Sequence, residues 1–430
     1  MSTLFKTLYV DNYRGFDKTF IPLTDVNFLV GENSTGKTSI LKLLKLISSE
    51  EFWRNMDFNI DDVQLGYFHE IVNQFSENKK SFSIGMEDFK YHSQEANNYT
   101  LMEFTNKNNV PHLHKLVITL NDYTILIKYN KATASYKIWK NESTKGYTEW
   151  IASIPESDKG LTYTGKIIIP SYHWHRAGII QYTIFQITEK LPKQKSKANK
   201  YFPFWYTRDI IWLAPIRAKP QRIYDSFKQS FSSEGEHAPV ILRNIMSNKK
   251  DSENIIAAIE KFGKSSSLFD KIEVKNLDRY AGAPFEIHML YDDVPVRITN
   301  VGYGISQSIP LIVQLLTTKG SIFSIQQPEV HLHPRAQAAF GELIFENVLS
   351  NHNNFIIETH SDYTINRFRY CMHKKKNQET PQTQILFFQR KKNGTTVTAL
   401  PISRNGQYPD ELPKEFGDFF VDEELKMLEF

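Results

Sequence analysis

The chain contains a single cysteine, Cys371. No internal disulfide can form, and a reducing compartment suits such a chain. No stretch approaches the roughly 20 consecutive apolar residues of a membrane span. The opening residues lack the long apolar core of a secretory signal. The expected location is the cytoplasm. A dominant charge of one sign is missing too. Lys and Arg number 52 against 48 Asp and Glu, a formal +4 over 430 residues, so charge acts only locally. One dense patch stands out, with Lys190, Lys193, Lys195, Lys197 and Lys200 inside eleven positions. It reads as a solvated loop able to touch nucleic-acid phosphates. No sustained heptad repeat supports a long coiled coil. No helix-turn-helix, zinc-finger or aromatic stacking motif supports a DNA-reading module.

What is present is enough apolar residue, 40%, for a sizeable core and about two or three domains at ~150 residues each. The sharpest signal is Gly31-Glu-Asn-Ser-Thr-Gly-Lys-Thr38, the pattern G-x-x-x-x-G-K-[ST]. An apolar strand (Val26, Phe28, Leu29, Val30) precedes it, and a helix-like segment from Ile40 to Ile47 follows. Glycines let backbone amides curl around phosphates, and the new helix adds free N–H groups and a positive dipole end. Asn33, Ser34, Thr35, Gly36 and Ser39 complete this loop. Lys37 is placed to reach the β- and γ-phosphates of ATP, and Thr38 to ligate Mg²⁺.

The 51–110 stretch, mixed and rich in Asn, Glu and Ser, gives no firm element. Strands are expected near 114–121, 123–129, 134–139 and 164–170, forming an antiparallel sheet. Residues 186–205 read as a basic linker or surface loop. Residues 221–265 read as a mostly helical insertion or lid, broken at Ser232–His237 and again at Asn248–Asp251, and 286–298 as a hairpin. Beyond these, helices at 309–318, 335–349 and 361–374 alternate with strands at 321–325, 355–358 and 384–389. That alternation predicts a largely parallel sheet. The nucleotide core is thus split between the N-terminus and the region past residue 300.

Three further clusters carry chemistry. Asn300-Val-Gly-Tyr-Gly-Ile-Ser-Gln307 is a glycine-rich turn before a helix, with Gly302 and Gly304 permitting tight turns and Ser306 at a helix start. Strand 321–325 runs into Gln326-Gln-Pro-Glu-Val-His-Leu-His-Pro334. A phosphate-loop ATPase keeps an acid there to hold Mg²⁺, and a second to orient water. Here stand Gln326 and Gln327, with the first carboxylate, Glu329, only after the proline. An amide can hold water but cannot take its proton as a carboxylate does. His331 and His333 have only Glu329 nearby and under-support a transition-metal site. Finally, Phe355-Ile-Ile-Glu-Thr-His-Ser-Asp362 ends an apolar strand in polar residues, where open α/β sheets bind ligands. His360 is a candidate γ-phosphate contact. A Ser–His–Asp hydrolase fails on spacing, since Ser361 and Asp362 are immediate neighbours of His360 and no G-x-S-x-G elbow exists.

Taken in order, these elements resemble the ABC-type ATPase head of chromosome-maintenance and break-repair ATPases. The resemblance extends to compact SMC-like heads of bacterial phage-defence systems, including the ATPase part of OLD-family nucleases and their stand-alone relatives. It implies an α/β fold with a mostly parallel core sheet, a flanking antiparallel sheet and a small helical insertion. It implies three segments: 1–185 with the phosphate loop, 186–285 with linker and insertion, and 286–430 with the remaining motifs. Within it, Asn12-Tyr-Arg-Gly-Phe16 looks like the nucleotide-edge loop, making Arg14 a nucleotide contact. Gly31–Thr38 looks like Walker A. Gly302, Gly304, Ser306 and Gln307 look like the signature motif that meets ATP bound by a second copy. Gln326 occupies the Walker B metal position beside Thr38, and Gln327, Glu329 and His360 occupy catalytic positions. Leu213–Arg217, Arg222–Tyr224 and the tail from Asn405 to Phe420 also resemble segments of these heads. The cofactors implied are ATP and Mg²⁺. The partners implied are a second copy and a separately encoded effector such as a nuclease, with DNA as a further ligand. The function expected is a nucleotide-controlled switch with slow hydrolysis. The rivals are an active DNA-stimulated ATPase and a non-hydrolysing scaffold.

Overall fold

The computed structural model describes residues 5–60, 63–87, 98–120, 123–140, 146–154, 161–169, 175–190, 209–225, 230–280, 282–375, 379–392 and 394–417. The chain opens with a hairpin, β1 (Thr7–Asp11) and β2 (Thr19–Pro22), then sends β3 (Val26–Gly31) into the interior. Every β3 residue is buried, as a strand covered on both faces requires. Next come α1 (Lys37–Ser48), α2 (Glu50–Asn55), the short pair β4 (Asn59–Ile60) and β5 (Val63–Gln64), and α3 (Phe68–Ile71).

A meander follows: β6 (Ser81–Glu87), β7 (Tyr99–Lys107), β8 (Val110–Leu120), β9 (Tyr123–Tyr129) and β10 (Thr133–Lys140). After α4 (Tyr147–Ser153) it closes with β11 (Leu161–Ile168). With β1 and β2 these strands make one eight-stranded sheet, ordered β11-β10-β9-β8-β7-β6-β1-β2, antiparallel throughout. This is the expected flanking sheet, twice as large as its legible strands. α5 (Arg176–Thr188) turns Ile180, Ile184 and Ile187 inward, a helical spacing that builds one apolar stripe. The linker expected at 186–205 therefore begins as the end of a helix, and 191–205 lies outside the described residues.

The rest of the chain forms the core: β12 (Ile210–Leu213), α6 (Ala238–Ser247), α7 (Lys249–Ser266), β13 (Lys271–Asn276), β14 (Phe285–Tyr291) and β15 (Val294–Arg297). Then come α8 (Tyr303–Thr317), β16 (Ile322–Gln326), α9 (Pro334–Asn351), β17 (Asn354–Glu358), α10 (Asp362–Lys374), β18 (Thr383–Lys391) and β19 (Gly394–Ile402). The central sheet runs β12-β16-β17-β3-β18-β19. Its first five strands are parallel, and only β19 is antiparallel. The strand carrying the phosphate loop thus sits between β17 and β18, which come from the far end of the sequence. The tail closes over this core. Arg369 lies 3.4 Å over the Tyr408 ring, and Phe416 packs edge-on against Phe387.

Two expectations need correction. Among the described residues of the stretch read as helical over 221–265, helix begins at Ala238. Residues 232–237 form the expected break, where Gly235 takes a left-handed φ of 83° and a Cβ would lie 2.4 Å from Pro310. The expected lid is also docked on the core: Ile259 and Phe262 are buried, and Lys261 pairs with Glu342 and Glu346 of α9. The helix expected to start at 309 starts six residues earlier. Glycines at 302 and 304 and an internal Pro310 are poor helix formers, and the proline removes the N–H that Ser306's carbonyl would accept. Burial of Ile305, Ile309, Leu311, Ile312 and Leu315 holds the helix regardless.

Candidate functional site

Gly31 ends β3 at φ 144°, and a Cβ there would lie 2.1 Å from the Phe388 carbonyl oxygen of β18. Only glycine lets the loop leave the sheet at this point. Gly36 caps α1 at φ 91°, with Phe16 filling the space its side chain would need. The Asn12–Phe16 run therefore forms the floor of the loop. Arg14 reaches the start of α1, its Nη1 donating to Ser39 Oγ at 2.9 Å. Asn33 and Ser34 are exposed at the tip. Buried Thr35 braces the loop by donating to the Glu32 carbonyl at 2.8 Å.

Lys37 is 3% exposed. Its ammonium donates to the carbonyls of Gly31 at 2.6 Å and Glu32 at 2.7 Å. Burial pushes its pKa down, while the carboxylates of Glu358 and Glu32 pull it back up. The cation is thus held inside the loop by two of the loop's own carbonyls.

Beside it lies a closed set of three side chains. Thr38 Oγ1 donates to Glu358, 2.9 Å from Oε2 and 3.2 Å from Oε1. Gln326 Nε2 donates to Thr38 Oγ1 at 3.0 Å and to Glu358 Oε2 at 3.1 Å. Gln326 and Glu358 are register partners in the parallel pair β16–β17, so their side chains leave the same face. Sequence reasoning placed Thr38 and Gln326 here and missed Glu358. The signal lay in strand order, since an acid ending a buried strand matters only once that strand is known to neighbour both β3 and β16.

The other candidates line the loops above. Gln327 takes a left-handed φ of 42° and is pinned by its own N–H to the Glu358 carbonyl at 2.8 Å. Glu329 accepts from the His360 N–H at 2.7 Å and the Thr359 hydroxyl at 2.9 Å. Its carboxylate ties the post-β16 loop to the post-β17 loop, a positioning contact. Burial raises its pKa against those donors. His360 is pushed the other way, first by burial and then by the Lys37 charge, which favours neutral imidazole at pH 7. His331 and His333 are exposed, with the His331 ring edge-on to Tyr303 at 5.0 Å.

The signature segment sits elsewhere. Gly302 and Tyr303 are exposed at the start of α8. Gly304 is demanded by close approach: a Cβ would lie 2.5 Å from the His331 carbonyl oxygen. Ser306 turns inward, donating to the Tyr303 carbonyl at 2.9 Å, and lines a cavity of about 520 Å³ with Tyr224, Glu236, Ile298 and Pro310. Gln307 is 2% exposed. Its amide is spent on the Arg217 backbone, accepting from N–H at 3.0 Å and donating to C=O at 3.2 Å. Gln307 is thus held in the core by the Arg217 backbone. Arg217 in turn donates to the Gln326 carbonyl at 3.3 Å. Burial lowers its pKa to about 10, still cationic at neutral pH. Arg217 therefore bridges the signature helix to the end of β16, a link that sequence reasoning missed.

Fold and site together define a P-loop ATPase head, with the phosphate loop and the Thr38–Gln326–Glu358 set at the carboxyl ends of β3, β16 and β17. The chain belongs to the AAA ATPase domain family, which matches residues 5–365. The DNA replication and repair protein RecF of Proteus mirabilis (strain HI4320) is 27% identical over 146 residues, 31% of this chain and 39% of that protein. The match therefore spans well under half of that relative's length. Among solved structures, the SMC head domain from Thermotoga maritima is 12% identical, with a TM-score of 0.35 over 92% of this chain and 98% of that one. An Smc head domain with an extended coiled coil, derived from Pyrococcus furiosus and bound to the C-terminal domain of ScpA, is 12% identical. Its TM-score is 0.41 over 99% of this chain and 98% of that one. No helix among the described residues is long and apolar enough to cross a membrane.

Proposed function

We propose that the chain binds ATP with Mg²⁺ and closes into a dimer around it. In this reading Lys37 and Thr38 of one copy hold the triphosphate, and the exposed start of α8 at Gly302–Gly304 of a second copy covers it. The observation that carries this is the division of the site. The loop, its lysine and the Thr38–Gln326–Glu358 set converge on one sheet edge, while among the described residues no hydrogen bond joins Gly302–Ser306 to that loop. The residues fit the cofactor: the glycine cradle admits phosphates, and a hydroxyl beside a carboxylate suits a hard cation. When bound, Mg²⁺ would neutralise phosphate charge; Thr38, Gln326 and Glu358 are the side chains that would face it.

The partial match to RecF favours DNA as the associated ligand, and an ATPase of the SMC and RecF type as the working class. Turnover is slow in this reading. Gln327 can orient a water but cannot take its proton, and Glu329 is already committed to the His360 loop. That slowness also supports a second role, a switch or scaffold for a separate effector such as a phage-defence nuclease. The motif set and the glutamine pair alone support it.

The test is oligomeric mass and ATP affinity for three proteins. The parent should double in mass with ATP. Lys37→Ala should lose ATP binding and dimerisation together. Gly302 has ordinary backbone torsions and open space around its missing Cβ, so Gly302→Arg should fold and bind ATP yet remain monomeric. Normal ATP-driven dimerisation of Gly302→Arg overturns the shared-site reading. ATP turnover with and without duplex DNA then separates motor from switch.

A further inference from the structure

We propose that Glu358, at the end of β17, supplies the carboxylate that positions the nucleotide's divalent cation, a duty that Gln326 at the end of β16 cannot perform. The inference rests on the ATP-binding reading above and deepens it.

A phosphate-loop Ser or Thr and one acid at a neighbouring strand end form the protein's share of a Mg²⁺ site. In this chain the strand that should carry the acid ends in two amides. The carboxylate stands one strand across, about 4.8 Å in sheet spacing, between β16 and the phosphate-loop strand. Its two oxygens both accept from Thr38 at 2.9 and 3.2 Å, so the acid is already engaged with the loop hydroxyl. Gln326 acts as a positioning residue, its amide donating to both Thr38 and Glu358. A neutral donor is what this geometry asks of position 326, because an acid there would face another acid at hydrogen-bond distance. The site keeps one negative charge, moved by one strand. That charge also supports the buried Lys37 ammonium. Among the described residues no three His, Cys, Asp or Glu side chains cluster as metal ligands. With nucleotide bound, Thr38 and Glu358 would be the protein's share of the cation's ligands.

The experiment is Mn²⁺ binding, followed by electron paramagnetic resonance, to the full chain with a non-hydrolysable ATP analogue. Analogue affinity in EDTA is measured separately. Glu358→Gln is nearly isosteric. It should keep metal-free analogue affinity at or above the parent value and weaken Mn²⁺ binding by about tenfold or more. The swap Gln326→Glu with Glu358→Gln returns the acid to β16 and should restore Mn²⁺ affinity to within a few-fold of the parent. Unchanged Mn²⁺ affinity in Glu358→Gln overturns the assignment. So does a swapped variant that binds analogue in EDTA, as the parent does, but fails to recover Mn²⁺. A parent that binds no analogue with or without metal instead overturns the ATP-binding reading itself.

Discussion

Gln326→Glu by itself is the sharpest probe of the site's charge balance. The substitution preserves shape but replaces an amide donor with a second carboxylate, about 3 Å from Glu358. Both positions are nearly closed to solvent, at 7% and 5% exposure. Two unit charges at about 3 Å and an effective dielectric constant of about 20 repel by about 5 kcal/mol. The pair avoids that full penalty by holding one proton. Keeping a proton from an ordinary Glu value up to pH 7 costs about 3–4 kcal/mol at ~1.4 kcal/mol per unit. The sign follows. A carboxyl that is harder to ionise in the folded state than in the unfolded state gives its full stability below the unfolded pKa, and loses it as pH rises through the folded value. The variant should therefore nearly match the parent at pH 4.5–5 and fall behind by about 5 kcal/mol at pH 8. Guanidinium denaturation at both pH values, without metal, measures this, with equal slopes confirming an unchanged unfolding reaction. Mg²⁺ with ATP should close the gap at pH 8. A deficit of the same size at both pH values, or below about 1 kcal/mol at pH 8, refutes the argument, because only paired charge gives that pH dependence.

Gly304→Ala would gain up to about 1 kcal/mol of helix propensity but drive a methyl onto the His331 carbonyl. The expected net loss is about 1–2 kcal/mol by denaturation, and a stabilised variant would show that the two loops do not press together. His360 binds its proton less readily when folded, so the stability it contributes above the unfolded value near 6.5 is lost as pH falls through the lower folded value. His360→Gln should remove that share of the acid-side decline between pH 7 and 5, and an identical decline in parent and variant would exclude it.

Much of the site was legible because its chemistry is local. Gly31–Thr38 needs one strand, one turn and one helix, all contiguous, and the structure supplies them where the pattern puts them. The parallel core was legible from alternating apolar runs and helical segments. The missing parts depend on distant pairing. Glu358 gains its meaning from lying in register with Gln326 and one strand from β3, and sheet order is not written in any single segment. Arg217 and Gln307 are 90 residues apart and meet only through packing. β6 and β7 fell in a stretch whose Asn, Glu and Ser obscure the period-two pattern, though Phe82, Ile84, Met102 and Phe104 are buried there. The early start of α8 was hidden by glycines and a proline that tertiary burial overrides.

The buried ammonium of Lys37 takes its two hydrogen-bond partners from its own loop, the loop that in the proposed reading cradles the nucleotide. In that reading, phosphate oxygens would need only to take over from two carbonyls, an exchange of like for like that would leave the surrounding backbone where it stands. Loading and release could then alternate without the loop having to melt and re-form.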